Sequence, residues 1–219
     1  MESAPARVKV KVCGLTRVAD ALACAEAGAD WIGLNFHPAS PRRVEPALAA
    51  EIVAALPASC TAVGLFVDRP PAEVLATAAR VGLRVVQLHG NEPVDDLAVL
   101  MPHLSVVRAF RLGDRAAVDR MSGFLHDAEG RGCAPVAVLI DGYVSGQAGG
   151  TGRTIALDLL DHLPPLPRLI LAGGLTPENV AARVSRLNPW MVDVASGVES
   201  SPGRKDPVQV AAFVRAARG

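Results

Sequence analysis

The chain has 219 residues, half of them hydrophobic, and its 22 basic and 22 acidic side chains cancel to a formal net charge of zero. That balance argues against a nucleic-acid partner, and the lack of any run of about 18 uncharged apolar residues argues against a membrane-spanning helix. The four cysteines, at positions 13, 24, 60 and 133, have no CxxC spacing and define no disulfide framework, so no zinc site is expected and a cytoplasmic protein with reduced thiols is. Aromatic residues make up only 4% of the chain, so the core must be built from Val, Leu, Ile and Ala.

In chain order, residues 9–13 (KVKVC) alternate with the period of a strand. Gly14 breaks that strand, and Thr16 stands where it could cap a helix whose apolar stripe starts at Val18. Strand two is expected over 30–36. A proline-stiffened loop then leads to Pro46 and a helix running to about Leu56. Strand three covers 61–67, helix three 72–80, strand four 83–88 and helix four about 93–101. Strand five covers 104–110, a helix spans about 114–127, and strand six is the apolar run 134–140 leading to Asp141. A glycine-rich loop follows over 142–152, read as a lid or ligand clamp, then a short helix over 156–162. Strand seven is placed at 167–172, with a helix opened by Thr176-Pro177-Glu178. Strand eight is placed at 190–194 and the last helix at 207–218. Eight strand–helix units without an intervening linker predict a single-domain α/β protein, a (β/α)8 TIM barrel spanning residues 1–219. A doubly wound open sheet is the competing architecture, but no GxGxxG follows strand one.

In such a barrel the helices cover the outside. Val8, Val10 and Val12 should therefore face them, while Lys9, Lys11 and Cys13 point inward. A buried lysine needs an anion. Asp193 on strand eight, a neighbour of strand one once the barrel closes, is the candidate partner of Lys11. Residues with chemistry gather where the strands end. Cys13 closes strand one and Asp141 closes strand six, a thiol and a carboxylate able to serve as base and acid. Each also has a plain reading, as a small core residue and as a turn residue. Cys24, Cys60 and Cys133 are read as structural. One of Arg42 and Arg43 could grip a carboxylate in a fork, although a solvated pair is the ordinary reading. Gln87 and His89 end strand four, as ligand contacts or as turn residues. Gly173-Gly174 and Ser196-Gly197 follow strands seven and eight, where barrels of this type often bind phosphate through backbone N–H groups. The Gly149–Gly152 stretch does not have P-loop spacing.

Taken together, the stretches KVCGLT (11–16), GADWIGLNFHPASPR (28–42), VGLFV (63–67), VQLHG (86–90), LID (139–141), GGTGRT (149–154), LAGGLTPENV (171–180) and VDVASGVESSPGRKD (192–206) resemble the phosphoribosylanthranilate isomerases of tryptophan biosynthesis. The resemblance implies an Amadori rearrangement of N-(5-phosphoribosyl)anthranilate with no metal or redox cofactor, a small-molecule substrate, and a monomer or homodimer. Cys13 would be the general base and Asp141 the general acid, Arg42 would bind the anthranilate carboxylate, and Gly173, Gly174, Ser196 and Gly197 would hold the phosphate. Lys11 is expected to lower the pKa of Cys13. The related histidine-pathway isomerases depend on two aspartates, so Cys13 argues against them; dual activity and a non-catalytic phosphate-binding barrel are the remaining alternatives.

Overall fold

The computed structural model describes residues 7–142, 159, 163–166 and 168–219. Eight parallel strands close on themselves in sequence order: β1 (Lys9–Cys13), β2 (Trp31–Asn35), β3 (Thr61–Phe66), β4 (Val85–Leu88), β5 (Ser105–Leu112), β6 (Ala137–Gly142), β7 (Leu169–Leu171) and β8 (Met191–Val194). Closure is made by β1 against β8, with Val10 opposite Val192, Lys11 opposite Asp193 and Val12 opposite Val194. The fold is therefore the (β/α)8 barrel that the alternation of elements predicted.

The side-chain alternation of the strands sorts the core into two layers. Val10, Val12, Ile32, Leu34, Val86, Val192 and Val194 are buried between the barrel and its helices. Val63, Val85, Val107, Leu139, Ile170 and Met191 fill the barrel interior. At the amino-terminal end of the strands Trp31 meets Trp190 edge to face, with ring centroids 5.4 Å apart, and the Lys9 ammonium lies 5.1 Å from the Trp190 ring. These contacts cap the interior at the end away from the residues with chemistry.

The helices α1 (Val18–Glu26), α2 (Pro46–Ala55), α3 (Pro71–Val81), α4 (Val94–Leu100), α5 (Arg115–Gly130), α6 (Val180–Leu187) and α7 (Pro207–Arg218) are those among the described residues. Proline sits in the first turn of α2, α3 and α7, where its missing N–H leaves no bond unmade. The Asp206 side chain caps α7 by accepting from the N–H groups of Val208 and Gln209. None of the described helices is long and apolar enough to cross a membrane.

Several boundaries differ from expectation. Strand five runs two residues further, and β6 starts later and includes Asp141 and Gly142. Thr16 does not cap α1; its hydroxyl donates to the Gly203 carbonyl at 2.6 Å, spanning from the first turn to the end of the chain. Nor does a helix start at Pro177. The Asn179 side chain accepts from the Thr176 N–H and donates to the Gly174 carbonyl, both at 2.9 Å, so residues 176–179 form a turn and α6 begins at Val180. A small antiparallel hairpin, β9 (Glu199–Ser201) with β10 (Arg204–Lys205), was not anticipated. The stretch 143–152 of the expected lid lies outside the described residues, as does most of the helix expected over 156–162.

Candidate active site

Apart from Lys11, in the middle of β1, every candidate is carried by the carboxyl end of a strand or by the loop that follows. Cys13, the last residue of β1, is buried. Its sulfur lies against Gly33 of β2, where a Cβ would come within 2.6 Å of Sγ, so only glycine leaves the thiol its place. Two residues earlier, the Lys11 ammonium donates to both oxygens of Asp193 at 3.0 Å. Both side chains are buried, and the inward parity read from the sequence is the one observed.

The charge states follow from this burial. Burial works against the Lys11 cation, but the Asp193 carboxylate, with help from Cys13, outweighs it and holds Lys11 above the ordinary lysine value. At Cys13, burial pushes the thiol up. Lys11 and Lys205 pull it down and Asp193 adds to the rise, leaving the thiol above its usual 9.0. Lys11 does lower the Cys13 pKa, as expected, but burial outweighs that pull, so the thiol as a whole is raised and not lowered.

Asp141 occupies the mouth on β6. Its Oδ2 is 3.5 Å from Nε2 of His89, whose Nδ1 is 3.1 Å from the Gln87 amide nitrogen. An amide nitrogen only donates, so Nδ1 is assigned as acceptor and Nε2–H is the edge turned toward Asp141. Gln87 and His89 are thus placed beside the carboxylate, with Gln87 bonded to the ring, while Nε2 faces Asp141 without a hydrogen bond to it. The other oxygen, Oδ1, is packed against Gly173, where a Cβ would stand 2.7 Å away. Gly173 and Gly174 both take left-handed φ values, +86° and +62°, which favour glycine. After β8 a short 3-10 turn covers Ser196–Val198, and a Cβ on Gly197 would collide with the Leu175 carbonyl. The glycine loops after β7 and β8 are thus pressed into one surface beside Asp141.

The two adjacent arginines separate. Arg43 makes an exposed pair with Glu45 at 2.8 Å. Arg42 is largely buried, and its Nε and NH2 donate to the two oxygens of Glu199 at 2.9 and 2.7 Å. Glu199 and Asn179 belong to the site's framework yet were not singled out from the sequence, although both lie inside the stretches that carry the family resemblance. No group of three or more His, Cys, Asp or Glu side chains with the spacing of a metal site occurs among the described residues.

Ionisable side chains gathered at the carboxyl ends of the strands of a (β/α)8 barrel stand where enzymes of this fold carry their active sites. Residues 10–216 match the family described as N-(5'-phosphoribosyl)anthranilate (PRA) isomerase. The chain is 45% identical over 212 residues to N-(5'-phosphoribosyl)anthranilate isomerase of Geobacter sulfurreducens, covering 97% of this chain and 99% of that one. The crystal structure of phosphoribosyl anthranilate isomerase from Thermotoga maritima superposes with a TM-score of 0.84 at 33% identity, covering 97% of this chain and 99% of the other. A crystal structure of phosphoribosyl anthranilate isomerase in complex with reduced 1-(o-carboxyphenylamino)-1-deoxyribulose 5-phosphate gives 0.81 at the same identity and coverage. The chain belongs to the N-(5'-phosphoribosyl)anthranilate isomerase family.

Proposed function

We propose that this chain isomerises N-(5-phosphoribosyl)anthranilate to 1-(2-carboxyphenylamino)-1-deoxyribulose 5-phosphate, the Amadori step of tryptophan biosynthesis. The observation that carries the reading is the joint placement of Cys13 and Asp141 on β1 and β6 at one mouth, with the glycine loops beside Asp141. Asp141, protonated, gives its proton to the furanose ring oxygen, and the ring opens to a Schiff base. Cys13, as thiolate, takes the proton from C2′. The resulting enolamine tautomerises to the ketone. Oδ2 of Asp141 faces His89 Nε2 at 3.5 Å, and its Oδ1 lies on the side next to the Gly173 loop. Gly173, Gly174, Ser196 and Gly197 hold the phosphate through backbone N–H groups. Arg42 receives the anthranilate carboxylate. The Lys11–Asp193 pair braces the floor beneath Cys13, and Gln87 fixes the His89 ring.

The reaction requires a small-molecule substrate and no metal or cofactor, and it suits either a monomer or a homodimer. The test is isomerisation of N-(5-phosphoribosyl)anthranilate by the wild type, Cys13→Ser and Asp141→Asn. Each substitution should lower kcat by about 10²–10⁴-fold, the usual contribution of a positioned acid or base. Substrate binding without turnover by the wild type would instead indicate a phosphate-binding module, and unchanged rates in both variants would remove the mechanism.

A further inference from the structure

We propose that Glu199 is a positioning residue that fixes Arg42 for a planar carboxylate, and so turns the carboxylate on the substrate's aromatic ring into a specificity determinant. The inference rests on the function proposed above. A guanidinium has two edges that can grip a carboxylate in a fork, Nε with one terminal nitrogen, and the two terminal nitrogens together. Glu199 takes the first edge, with Oε1 on Nε at 2.9 Å and Oε2 on NH2 at 2.7 Å. The second edge is thereby held in one plane and one direction. Arg42 gives up its rotamer freedom on folding and not at each binding event. Its aliphatic stem lies over Gly14, the residue after Cys13, where a Cβ would clash with it.

Glu199 can do this because it is itself held. Its side chain is 4% exposed. Oε1 accepts from the Lys205 ammonium at 2.8 Å and from the Gly203 N–H at 3.2 Å. Two cations around one carboxylate leave the cluster with one net positive charge, matched to a single incoming carboxylate. Lys205 also donates to the Ala195 carbonyl at 3.0 Å, and Ala195 precedes Ser196 and Gly197. The clamp on Arg42 and the loop assigned to the phosphate are therefore joined through one buried ammonium.

The test compares N-(5-phosphoribosyl)anthranilate with N-(5-phosphoribosyl)aniline, the same sugar phosphate without the carboxylate. In Glu199→Gln the KM for the anthranilate compound should rise about tenfold with kcat altered less than about threefold, while the KM for the aniline compound stays. In an Arg42→Gln background, Glu199→Gln should not change the preference further, because the two residues act as one unit. An equal loss on both compounds, or an additional loss of preference in the Arg42→Gln background, overturns the proposal. If the Gln variant does not fold, Glu199→Asp, which keeps the charge but shortens the reach, must lower the preference in the same way, and an unaltered preference overturns it. Should the wild type turn over neither compound, the proposed reaction fails separately. Calorimetric binding of the carboxylated and des-carboxy products to the same variants then still shows whether Glu199 acts through Arg42.

Discussion

At Cys13 the proposed base is held where it is least easily ionised. Burial outweighs the two lysines, so the free thiol stays protonated through neutral pH. If only the thiolate abstracts the C2′ proton, kcat/KM should rise with pH through and beyond the ordinary thiol value of 9.0. A pH–rate profile of the free enzyme that levels off below that value would contradict the assignment. Lys11→Met should move the rise to still higher pH by removing the nearest cation. The sequence disclosed the neighbours correctly, since parity alone put Lys11 and Cys13 on one face and Asp193 across from them. It did not disclose which influence wins, because depth of burial depends on Gly33 and the packing around it. His89 shows the same limit: its place after strand four was legible, whereas the direction of Nε2 toward Asp141 is set by Gln87 and by β6.

At the level of elements, the β9–β10 hairpin does more than its five strand residues suggest. It carries Glu199 and Lys205, and its turn residue Gly203 accepts from Thr16. Thr16→Val should remove that one bond and cost about 1 kcal/mol of stability, measurable by denaturant unfolding. The Glu199 carboxylate gives the hairpin a pH dependence. Burial opposes its charge, but Arg42 and Lys205 prevail and hold it below the usual carboxylate value of 4.5. A depressed carboxylate contributes stability that is full above the unfolded value and is lost as pH falls through the folded one. The wild type should thus lose more stability on acidification below pH 4.5 than Glu199→Gln does, as read from melting curves at stepped pH. The hairpin was hidden in the sequence because SSPGRK reads as a polar turn, and because Arg42 and Glu199 are 157 residues apart. The turn before α6 is hidden for a related reason: the Asn179 side chain takes the Thr176 N–H, and Thr176-Pro177 otherwise has every mark of a helix start.

Over the whole molecule, the architecture was legible because eight apolar strands alternate with helices and each change of period marks a boundary. What periodicity could not supply was where the barrel seam is held. The seam joins β1 to β8, and its one buried ion pair among the residues facing inward there, Lys11 with Asp193, stands at a matched register position. Lys11→Met leaves Asp193 buried without a cation. It should cost about 3–5 kcal/mol, and replacing both residues with apolar ones should recover most of that loss. The measurement is the urea midpoint of each variant, and equal midpoints for the single variant and the wild type would show that the seam does not depend on the pair.

The burial of sulfur has a chemical consequence outside the reaction. All four cysteines, Cys13, Cys24, Cys60 and Cys133, are free and buried. Peroxide and alkylating agents attack thiolates that they can reach. Burial raises the thiols of Cys24 and Cys60 to about 12 and about 11, and raises that of Cys13 as well. A catalyst built on a cysteine is ordinarily the first casualty of oxidative stress. Here the sulfur proposed as the base is a buried, protonated thiol, so iodoacetamide should label the native chain far more slowly than glutathione at pH 7.5 and label it fully once it is unfolded.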